Sequence, residues 1–210
     1  MIVVTGGAGK IGTAISKHLR ADWTPSHSTM PVESALAVSK VFESYCNIEL
    51  LICAHGIFGE AARIEDSDPW LWRHALEVNL LGTYNVCRFA IPKMARGGVI
   101  ITIAGGGGML DPLPFVSSYG CSKAGIVSLT KTLAAEHPEL RVNCIFPGMQ
   151  DSEIHDRLLA AGEEGNPAYA SIKKMRETGE GAVPVEKTLA CIDAILSSQD
   201  TGKIYFARQY

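Results

Sequence analysis

The sequence lacks the features that mark several classes of protein. No run of Lys and Arg appears among its 210 residues, and its formal net charge is −3. This charge disfavours a nucleic acid or an anionic membrane as a partner. No apolar run approaches the roughly 20 residues of a transmembrane helix, and the first residues, MIVVTGG, carry no basic segment of a signal peptide. We therefore expect a cytoplasmic protein that binds neither nucleic acid nor membrane.

Disulfide and metal motifs are also missing. The six cysteines are widely spaced without a C-x-x-C pair, and most lie in apolar stretches such as LLICA and VNCIF. Such cysteines are typical of a reduced core rather than of a disulfide set or a zinc site. The six histidines form neither an H-E-x-x-H motif nor a cluster of ligands, so no metal site is predicted.

Short apolar runs alternate with helical patterns along the chain. We predict strands at 1–5, 49–54, 98–104, 141–146 and 203–207, and helices at 11–21, 32–46, 69–95, 118–136 and 184–197. Continuous apolar strands separated by helices indicate a parallel sheet covered on both faces, a three-layer α/β/α fold. The length and the 47% content of hydrophobic residues fit a single domain, 1–210. Segment 149–183 shows no clear core period and is predicted to be a lid or a binding loop.

A glycine-rich stretch, VVTGGAGKIGTAI, lies between the first predicted strand and the first predicted helix. Its glycines, Gly6, Gly7, Gly9 and Gly12, satisfy both G-x-G-x-x-G and T-G-x-x-G-x-x-G. In this context glycines permit a tight turn and allow backbone N–H groups to approach a pyrophosphate at the helix N-terminus. Lys10 either meets a phosphate or is solvated. A simple tight turn is the alternative interpretation.

The acid that usually follows such a loop has no clear counterpart. A dinucleotide site normally has a second strand that ends, about 20 residues past the glycines, in an acid that binds the ribose. The corresponding stretch, HLRADWTPSHSTMPVES, contains no apolar strand-like run. We expect a sheet without the usual second strand. Asp22 is the candidate contact to the adenosine half of a cofactor, and Glu33 is a poorer one because it begins a predicted helix.

Tyr119 and Lys123 lie four residues apart, on one face of a predicted helix. A phenol has an ordinary pKa of about 10 and needs a nearby positive charge to exchange a proton near neutral pH. Lys123 can supply this charge, although the same spacing also suits an ordinary surface pair. Asn79 interrupts an apolar helical run, where a poor helix former needs a reason. A satisfied buried amide is the alternative for Asn79.

Five motifs occur in an order that resembles the short-chain dehydrogenase/reductase family: TGGAGKIG, CAHG at 53–56, EVNLLGTYNV at 77–86, YGCSKAG and RVNCIFPG. The resemblance covers nearly the whole chain. It implies a Rossmann-type, doubly wound sheet, NAD or NADP as cofactor, and hydride transfer between the nicotinamide and a small carbonyl or alcohol substrate. The choice between the two cofactors and the identity of the substrate stay open.

The resemblance also implies roles for individual residues. Tyr119 is the general acid/base, Lys123 tunes it and binds the nicotinamide ribose, and Asn79 holds a water in a proton relay. The implied cofactor contacts come from four loops and the Tyr–Lys pair: Gly6, Gly9, Lys10, Ile11, Gly12, Asp22, Ala54, His55, Gly56, Tyr119, Lys123, Pro147 and Gly148. His55 stands in the place of the family's Asn, and Ser152 stands roughly in that of a Thr that meets the carboxamide.

The main departure from the family is a missing hydroxyl. The family places a Ser that holds the substrate oxygen at or beside the positions of Gly105 and Gly106, within TIAGGGGML. Losing such a donor costs about 10²–10³ in rate. Backbone N–H groups of the glycine run are the candidate replacement.

Three functions follow from these observations. The leading hypothesis is an NAD(P)-dependent oxidoreductase. The main alternative is a dinucleotide-binding protein, a pseudoenzyme or regulator, that no longer catalyses, and a nucleotide-sugar epimerase or dehydratase is the third. The helices at 69–95 and 118–136 resemble those that pack subunits together in the family, so a homodimer or homotetramer is expected.

Overall fold

Five parallel strands form one sheet, and their order across the sheet follows the sequence. The computed structural model describes residues 1–106, 113–150, 153–160, 162–163 and 169–210. The strands are β1 (Ile2–Thr5), β2 (Ile48–Cys53), β3 (Met94–Ile103), β4 (Arg141–Phe146) and β5 (Ile204–Phe206), in the order β1-β2-β3-β4-β5. All five strands lie where the sequence predicts them, although β3 begins earlier than expected.

Helices connect the strands and cover both faces of the sheet. They are α1 (Lys10–Leu19), α2 (Ala35–Glu43), α3 (Pro69–Leu76), α4 (Gly82–Ala90), α5 (Ser117–Glu136), α6 (Glu153–Ala160), α7 (Tyr169–Thr178) and α8 (Val185–Ser197). Short 3₁₀ turns occur at Ile64–Asp66, Ile91–Lys93 and Ala207–Gln209. The predicted Rossmann-type α/β fold with three layers is confirmed.

Side chains alternate between the two faces of each strand, so the sheet contributes to two apolar cores. Val3 and Leu51 lie in a core with residues of α2 and α4. The next residues along the two strands, Val4 and Ile52, lie in the opposite core with residues of α1 and α8. All four side chains are fully buried, and each contributes about 1.5–3 kcal/mol to folding. The sheet is therefore rigid where its strands end and the loops begin.

The chain contacts both edges of β1, first through the segment that follows α1 and then through β2. One edge of β1 pairs with β2, and on the opposite edge a single bridge joins Val3 to Trp23. The Val4 N–H donates to the Trp23 carbonyl oxygen over 3.0 Å. Residues 20–34 are all described and contain no further strand, so this bridge stands where the usual second strand would lie. Dinucleotides bind where the strand order reverses, which directs attention to the carboxyl end of β1.

The predicted helix at 69–95 is interrupted and ends early. A π-helical turn, Glu77–Leu81, joins α3 to α4, and the 3₁₀ turn at Ile91–Lys93 ends the helical run. The prediction was wrong for residues 94 and 95, which begin β3, because Pro92 cannot continue the α-helical hydrogen bonds. Single π turns inside helices occur frequently at functional sites, and this one contains Asn79.

Segment 149–183, predicted to lack a core period, contains the helices α6 and α7. Leu158 of α6 and the two residues Ile172 and Met175 of α7 are buried in a cluster that also includes Tyr119. The described side chains of α6 and α7 therefore pack in the region of the predicted acid/base. Its role as a lid stays a prediction.

Four of the six cysteines are buried and two, Cys46 and Cys121, are exposed. All six are free thiols, so the prediction of reduced core cysteines holds for the buried four. Of the helices that the structure describes, none combines the length and apolar character needed to cross a bilayer. Within the described ranges, no group of three or more His, Cys, Asp or Glu could hold a metal ion.

Candidate active site

The predicted motifs meet at the carboxyl ends of the strands. The glycine loop follows β1, residues 54–56 follow β2, Gly105 follows β3 and Pro147 follows β4. Parallel strands present these ends along one edge of the sheet, where ligands of such folds bind. Helix α5 brings Lys123 to the same edge, where its Nζ donates to the carbonyl oxygen of Ile103 over 3.0 Å.

Two glycines of the first loop are required by close approach of the backbone. Gly6 has a φ of +70°, and a Cβ there would lie 2.6 Å from the backbone of His55. A Cβ on Gly12 would lie 2.1 Å from the Gly6 carbonyl oxygen. Because no side chain fits at either position, the loop keeps its backbone tightly folded between β1 and α1.

The amino end of α1 faces this loop. Gly9 is its N-cap residue and provides no side-chain hydrogen bond, and Lys10 and Ile11 are the first two residues of the helix. A helix N-terminus without a side-chain cap carries backbone N–H donors and a partial positive charge. These features fit a pyrophosphate, and the contacts predicted for Gly6, Gly9, Lys10, Ile11 and Gly12 stay predictions that the geometry allows.

Asp22 lies at the far end of β1 from the glycine loop, so its predicted contact with adenosine needs correction. Its Oδ2 accepts a hydrogen bond of 2.6 Å from the N–H of Ile2, the first residue of β1. The bridge between Val3 and Trp23 fixes the position of Asp22 along β1. The chain therefore reaches the glycine loop only after residue 23. Thr24 borders the loop instead, because a Cβ on Gly7 would lie 2.6 Å from the Thr24 Cβ.

Tyr119, which is half-buried, and Lys123, which is buried, form a pair on one face of α5. The Lys123 Nζ lies 5.6 Å from the centre of the Tyr119 ring, and the Lys123 side chain is 5% exposed. Burial lowers the pKa of Lys123 to about 8. Burial also raises the pKa of Tyr119 to about 12. In this arrangement Tyr119 holds its proton and is suited to act as an acid.

The side chain of Asn79 holds the loop after β2 against α5. Its Oδ1 accepts from the Ile57 N–H over 2.8 Å, and its Nδ2 donates to the Ile57 carbonyl oxygen over 2.9 Å. The Nδ2 also donates to the Ser122 Oγ over 2.9 Å, and the Ser122 hydroxyl donates to the Tyr119 carbonyl oxygen over 2.7 Å. Asn79 is therefore a fully buried and satisfied amide that also links the loop to the turn of α5 that carries Tyr119.

His55 connects β1 to the π turn rather than simply lining a cofactor cleft. Its Nδ1 lies 2.6 Å from the Thr5 Oγ1, and its Nε2 lies 3.3 Å from the Thr83 Oγ1. The Thr83 hydroxyl donates to the Asn79 carbonyl oxygen over 2.7 Å, so it accepts from an N–H at Nε2. Burial, and then the charge of Lys123, lowers the pKa of His55 to about 3. His55 is thus a neutral imidazole with its proton on Nε2.

Sequence reasoning missed the two hydroxyls of this network. Thr5 ends β1 directly before the glycines, and Thr83 follows Asn79 by four residues, one helical turn further on. The signal was a polar residue one turn from the predicted relay residue. Ser122 belongs to the YGCSKAG motif, and its contact with Asn79 gives it a role in this network.

Gly105 and Gly106, the positions of the expected Ser, differ sharply in the space around them. A Cβ on Gly105 would lie 2.4 Å from the Tyr119 Oη, whereas a Cβ on Gly106 would meet nothing within 4 Å. The Tyr119 hydroxyl therefore lies against the backbone of Gly105, and a side chain fits only at position 106. Gly105 has a structural reason to be glycine, and Gly106 has none from packing.

The hydroxyls that lie closest in sequence to Gly105 and Gly106 form hydrogen bonds with other side chains. The Thr102 Oγ1 pairs with the Thr130 Oγ1 over 2.7 Å. The Ser117 Oγ accepts a hydrogen bond of 3.0 Å from the Trp72 Nε1. Neither of these hydroxyls replaces the Ser that the family uses to hold a substrate oxygen.

The loop after β4 supplies the last predicted contacts. Pro147 is buried, and Gly148 has a φ of +76° and would bring a Cβ to 2.5 Å from the Val183 side chain. The Gln150 Nε2 donates to the Pro147 carbonyl oxygen over 3.4 Å and to the Thr188 Oγ1 over 2.6 Å. Pro147 and Gly148 therefore border the same edge of the sheet as the glycine loop. The predicted contact Ser152 lies outside the described residues.

Comparison with known proteins decides the family. Residues 27–162 match the profile of a family described as short chain dehydrogenase. The D-beta-hydroxybutyrate dehydrogenase of Rhizobium meliloti is 36% identical over 190 residues, which cover 86% of this chain and 72% of that protein. The chain belongs to the short chain dehydrogenase family. An L-fucose dehydrogenase of Oryctolagus cuniculus is 31% identical over 135 residues, which cover 61% of this chain and 46% of that protein.

Solved structures of the family share this architecture. A small-chain dehydrogenase in complex with NADPH superposes with a TM-score of 0.82 at 23% identity, covering 98% of this chain and 94% of that chain. A likeness at this level of identity concerns the fold. Among the first curated relatives, the matched part spans about half of their length, 46% and 50%.

Proposed function

We propose that this chain is an NAD(P)-dependent oxidoreductase that transfers a hydride between the nicotinamide and a carbonyl or alcohol. One observation carries the proposal: the Tyr119 hydroxyl, the Lys123 ammonium and the Asn79 side chain converge at the carboxyl edge of the sheet, next to the glycine loop. The family relatives named as dehydrogenases support it. The proposed location is the cytoplasm.

The residues present fit a nicotinamide dinucleotide. The loop of Gly6 and Gly12 leaves no room for side chains, and α1 begins there with uncapped backbone donors. Both features suit a pyrophosphate. A structural neighbour of 23% identity holds NADPH, which supports the same class of cofactor for this chain. When bound, the nicotinamide supplies or accepts the hydride.

Tyr119 is the general acid or base of the proposed reaction. In reduction, the carbonyl carbon receives the hydride and the carbonyl oxygen receives the Tyr119 proton, and the phenolate regains a proton from solvent. Lys123 stabilises this phenolate because its ammonium lies over the Tyr119 ring. Asn79 fixes the loop backbone at Ile57 and the first turn of α5 together. In oxidation the same groups act in reverse.

A dinucleotide-binding protein that does not catalyse is the second candidate. The observation that favours it is the absence of a side-chain hydroxyl at Gly105 and Gly106. The donor that this position provides in the family is worth about 10²–10³ in rate. Tyr119, Lys123 and Asn79 are all retained, and this balance favours an enzyme with reduced rate over a protein without activity.

Binding and turnover together test the proposal. Titration with NADH and NADPH, followed by a panel of carbonyl substrates, compares the wild type with Tyr119→Phe. We expect one cofactor to bind both proteins and turnover to depend on Tyr119. Binding without any turnover that depends on Tyr119 would instead establish the second candidate. If neither cofactor binds, both the oxidoreductase and the dinucleotide-binding protein are contradicted.

We also propose that the chain forms a homodimer or homotetramer through its α3–α4 face. Trp70, Leu81 and Tyr84 are 57%, 43% and 41% exposed on this helical run. Exposed apolar side chains that recur on one helix are typical of contacts between subunits. Light scattering of the wild type and of Leu81→Glu tests this, because the charge would dissociate the assembly.

A further inference from the structure

Glu60 is half-buried, and one of its carboxyl oxygens has no hydrogen-bond partner among the described residues. Its Oε1 is buried, and no residue that the structure describes donates a hydrogen bond to it. Such an oxygen has lost its hydrogen bonds to water without replacing them, which costs stability. Buried polar atoms in this state need an explanation, and a ligand that supplies the donor is one.

The backbone on both sides of Glu60 is fixed to the catalytic region. Ile57 exchanges two hydrogen bonds with the Asn79 side chain, and the Ala62 N–H donates to the Phe115 carbonyl oxygen over 2.9 Å. These contacts hold the loop backbone on both sides of Glu60 in place. Its position relative to α5 is set by the same residues that position Tyr119.

The residues next to Glu60 touch the predicted acid/base and its neighbour. The ring of Phe58 lies 5.6 Å from the ring of Tyr119. Gly59 has a φ of +83°, and a Cβ there would lie 2.9 Å from the Ser118 Oγ. Ala61 packs against the apolar cluster that includes Tyr119. Glu60 thus lies in the part of the loop that borders Tyr119.

The cation nearest to Glu60 in the sequence contacts other side chains. Arg63 is the closest cation along the sequence, and its guanidinium lies over the Phe115 ring at 5.6 Å and near Glu65 at 3.9 Å. The contrast with Glu33 is informative. One oxygen of Glu33 is also without a partner, but the other accepts from His27 over 2.7 Å. Glu60 has no such pairing within the described part of the chain.

We propose that Glu60 accepts a hydrogen bond from a hydroxyl or ammonium group of the substrate. The substrate would then be a carbonyl compound that carries a hydrogen-bond donor on its chain, with its carbonyl at Tyr119. A substrate with a carboxylate at that place is disfavoured, because two like charges would meet in a partly buried site. This inference rests on the proposed oxidoreductase function and names its class of substrate.

Matched pairs of ketones test the inference. The donors are 1-hydroxypropan-2-one, 4-hydroxybutan-2-one, 5-hydroxypentan-2-one and 1-aminopropan-2-one, and the parents are the ketones without the donor. 4-Oxopentanoate adds the carboxylate case. In at least one pair we expect the donor to raise kcat/KM by about 10- to 100-fold, the value of a hydrogen bond to a charged group. A preference for the hydroxyketones indicates that Glu60 accepts from a hydroxyl, and a preference for 1-aminopropan-2-one indicates that it accepts from an ammonium.

Variants connect the preference to Glu60. In Glu60→Met the ratio of kcat/KM between the donor and its parent should fall to near one, and Glu60→Gln, which keeps an acceptor oxygen, should restore part of it. Glu65→Gln, at an exposed carboxyl five residues away, is the matched control and should keep the ratio. Glu60→Met should unfold at the same or a higher temperature, because it removes an unsatisfied buried group. A merely structural Glu60 would give a lower temperature.

The outcomes separate the two levels of the argument. Turnover that depends on Tyr119 but shows no preference for any donor overturns the role of Glu60 and leaves the oxidoreductase intact. A preference that survives in Glu60→Met also overturns it. Absence of any turnover that depends on Tyr119 contradicts the oxidoreductase itself, and the role of Glu60 falls with it.

Discussion

Replacing His55 with Asn should make the protein less sensitive to acid. His55 lies half-buried between Thr5 and Thr83, and its pKa is lowered to about 3 by desolvation and by the charge of Lys123. The unfolded chain binds a proton at His55 below an ordinary pKa of about 6.5, whereas the folded chain does not. The stability that depends on this neutral imidazole is therefore fully present above pH 6.5 and is lost progressively as the pH falls towards 3.

The size of this effect follows from the two pKa values. At pH 4.5, two units below the unfolded value, the loss amounts to about 2.5 kcal/mol relative to neutral pH. For a chain of this length, each kcal/mol corresponds to about 2–4 °C in Tm. The contribution of His55 to the fall in Tm between pH 7.5 and pH 4.5 is thus about 5–10 °C. Asn does not titrate, so His55→Asn should lack this part of the fall.

Thermal unfolding of both proteins at the two pH values measures the difference. His18→Asn is the control, since His18 contacts the exposed Asp193 at 2.9 Å, outside the buried network. We expect the control to lose as much Tm in acid as the wild type, and His55→Asn to lose clearly less. Equal losses in all three proteins would refute the neutral imidazole in the folded protein.

The other predictions concern the glycines and Asn79. Gly106→Ser fills open space and should raise kcat by up to about 10²-fold; a large loss would show that the bare loop is shaped for its ligand. Gly105→Ala should lower kcat, because its Cβ would lie 2.4 Å from the catalytic hydroxyl. Gly12→Ala should abolish NAD(P)H binding in a fluorescence titration, since its Cβ would lie 2.1 Å from a backbone oxygen, whereas Gly9→Ala, at 3.5 Å, should bind normally. Asn79→Ala removes three hydrogen bonds and should reduce the free energy of unfolding by about 2–4 kcal/mol in urea.

Local patterns explain why the fold could be predicted. Each strand is a short apolar run, and Gly, His or Pro follows each of the first four predicted strands, so the alternation of elements is visible in the sequence. Gly6 and Gly12 could be recognised because their roles depend on the local turn from β1 into α1. The Tyr119–Lys123 pair lies within a single helix, and its spacing alone places both side chains on one face.

Features that depend on several distant segments could not be predicted in this way. The position of Asp22 depends on which residue bridges to Val3, and a shift of a few residues moves a side chain from one end of the strand to the other. The role of His55 depends on β1 and α4 together. The π turn around Asn79 leaves no signal in apolar periodicity, and the isolation of Glu60 depends on groups that are absent around it within the described chain.

Direct transfer of a labelled hydride tests the central claim. The wild type is incubated with the carbonyl panel and with NADH or NADPH that carries deuterium at one or the other face of nicotinamide C4. The masses of the product alcohols are then measured by mass spectrometry. We predict one deuterium at the former carbonyl carbon from one face only, and little or no labelled product from Tyr119→Phe. Cofactor binding without deuterium in any product, or equal labelling by Tyr119→Phe, would contradict the assignment of Tyr119 as the acid/base of an oxidoreductase.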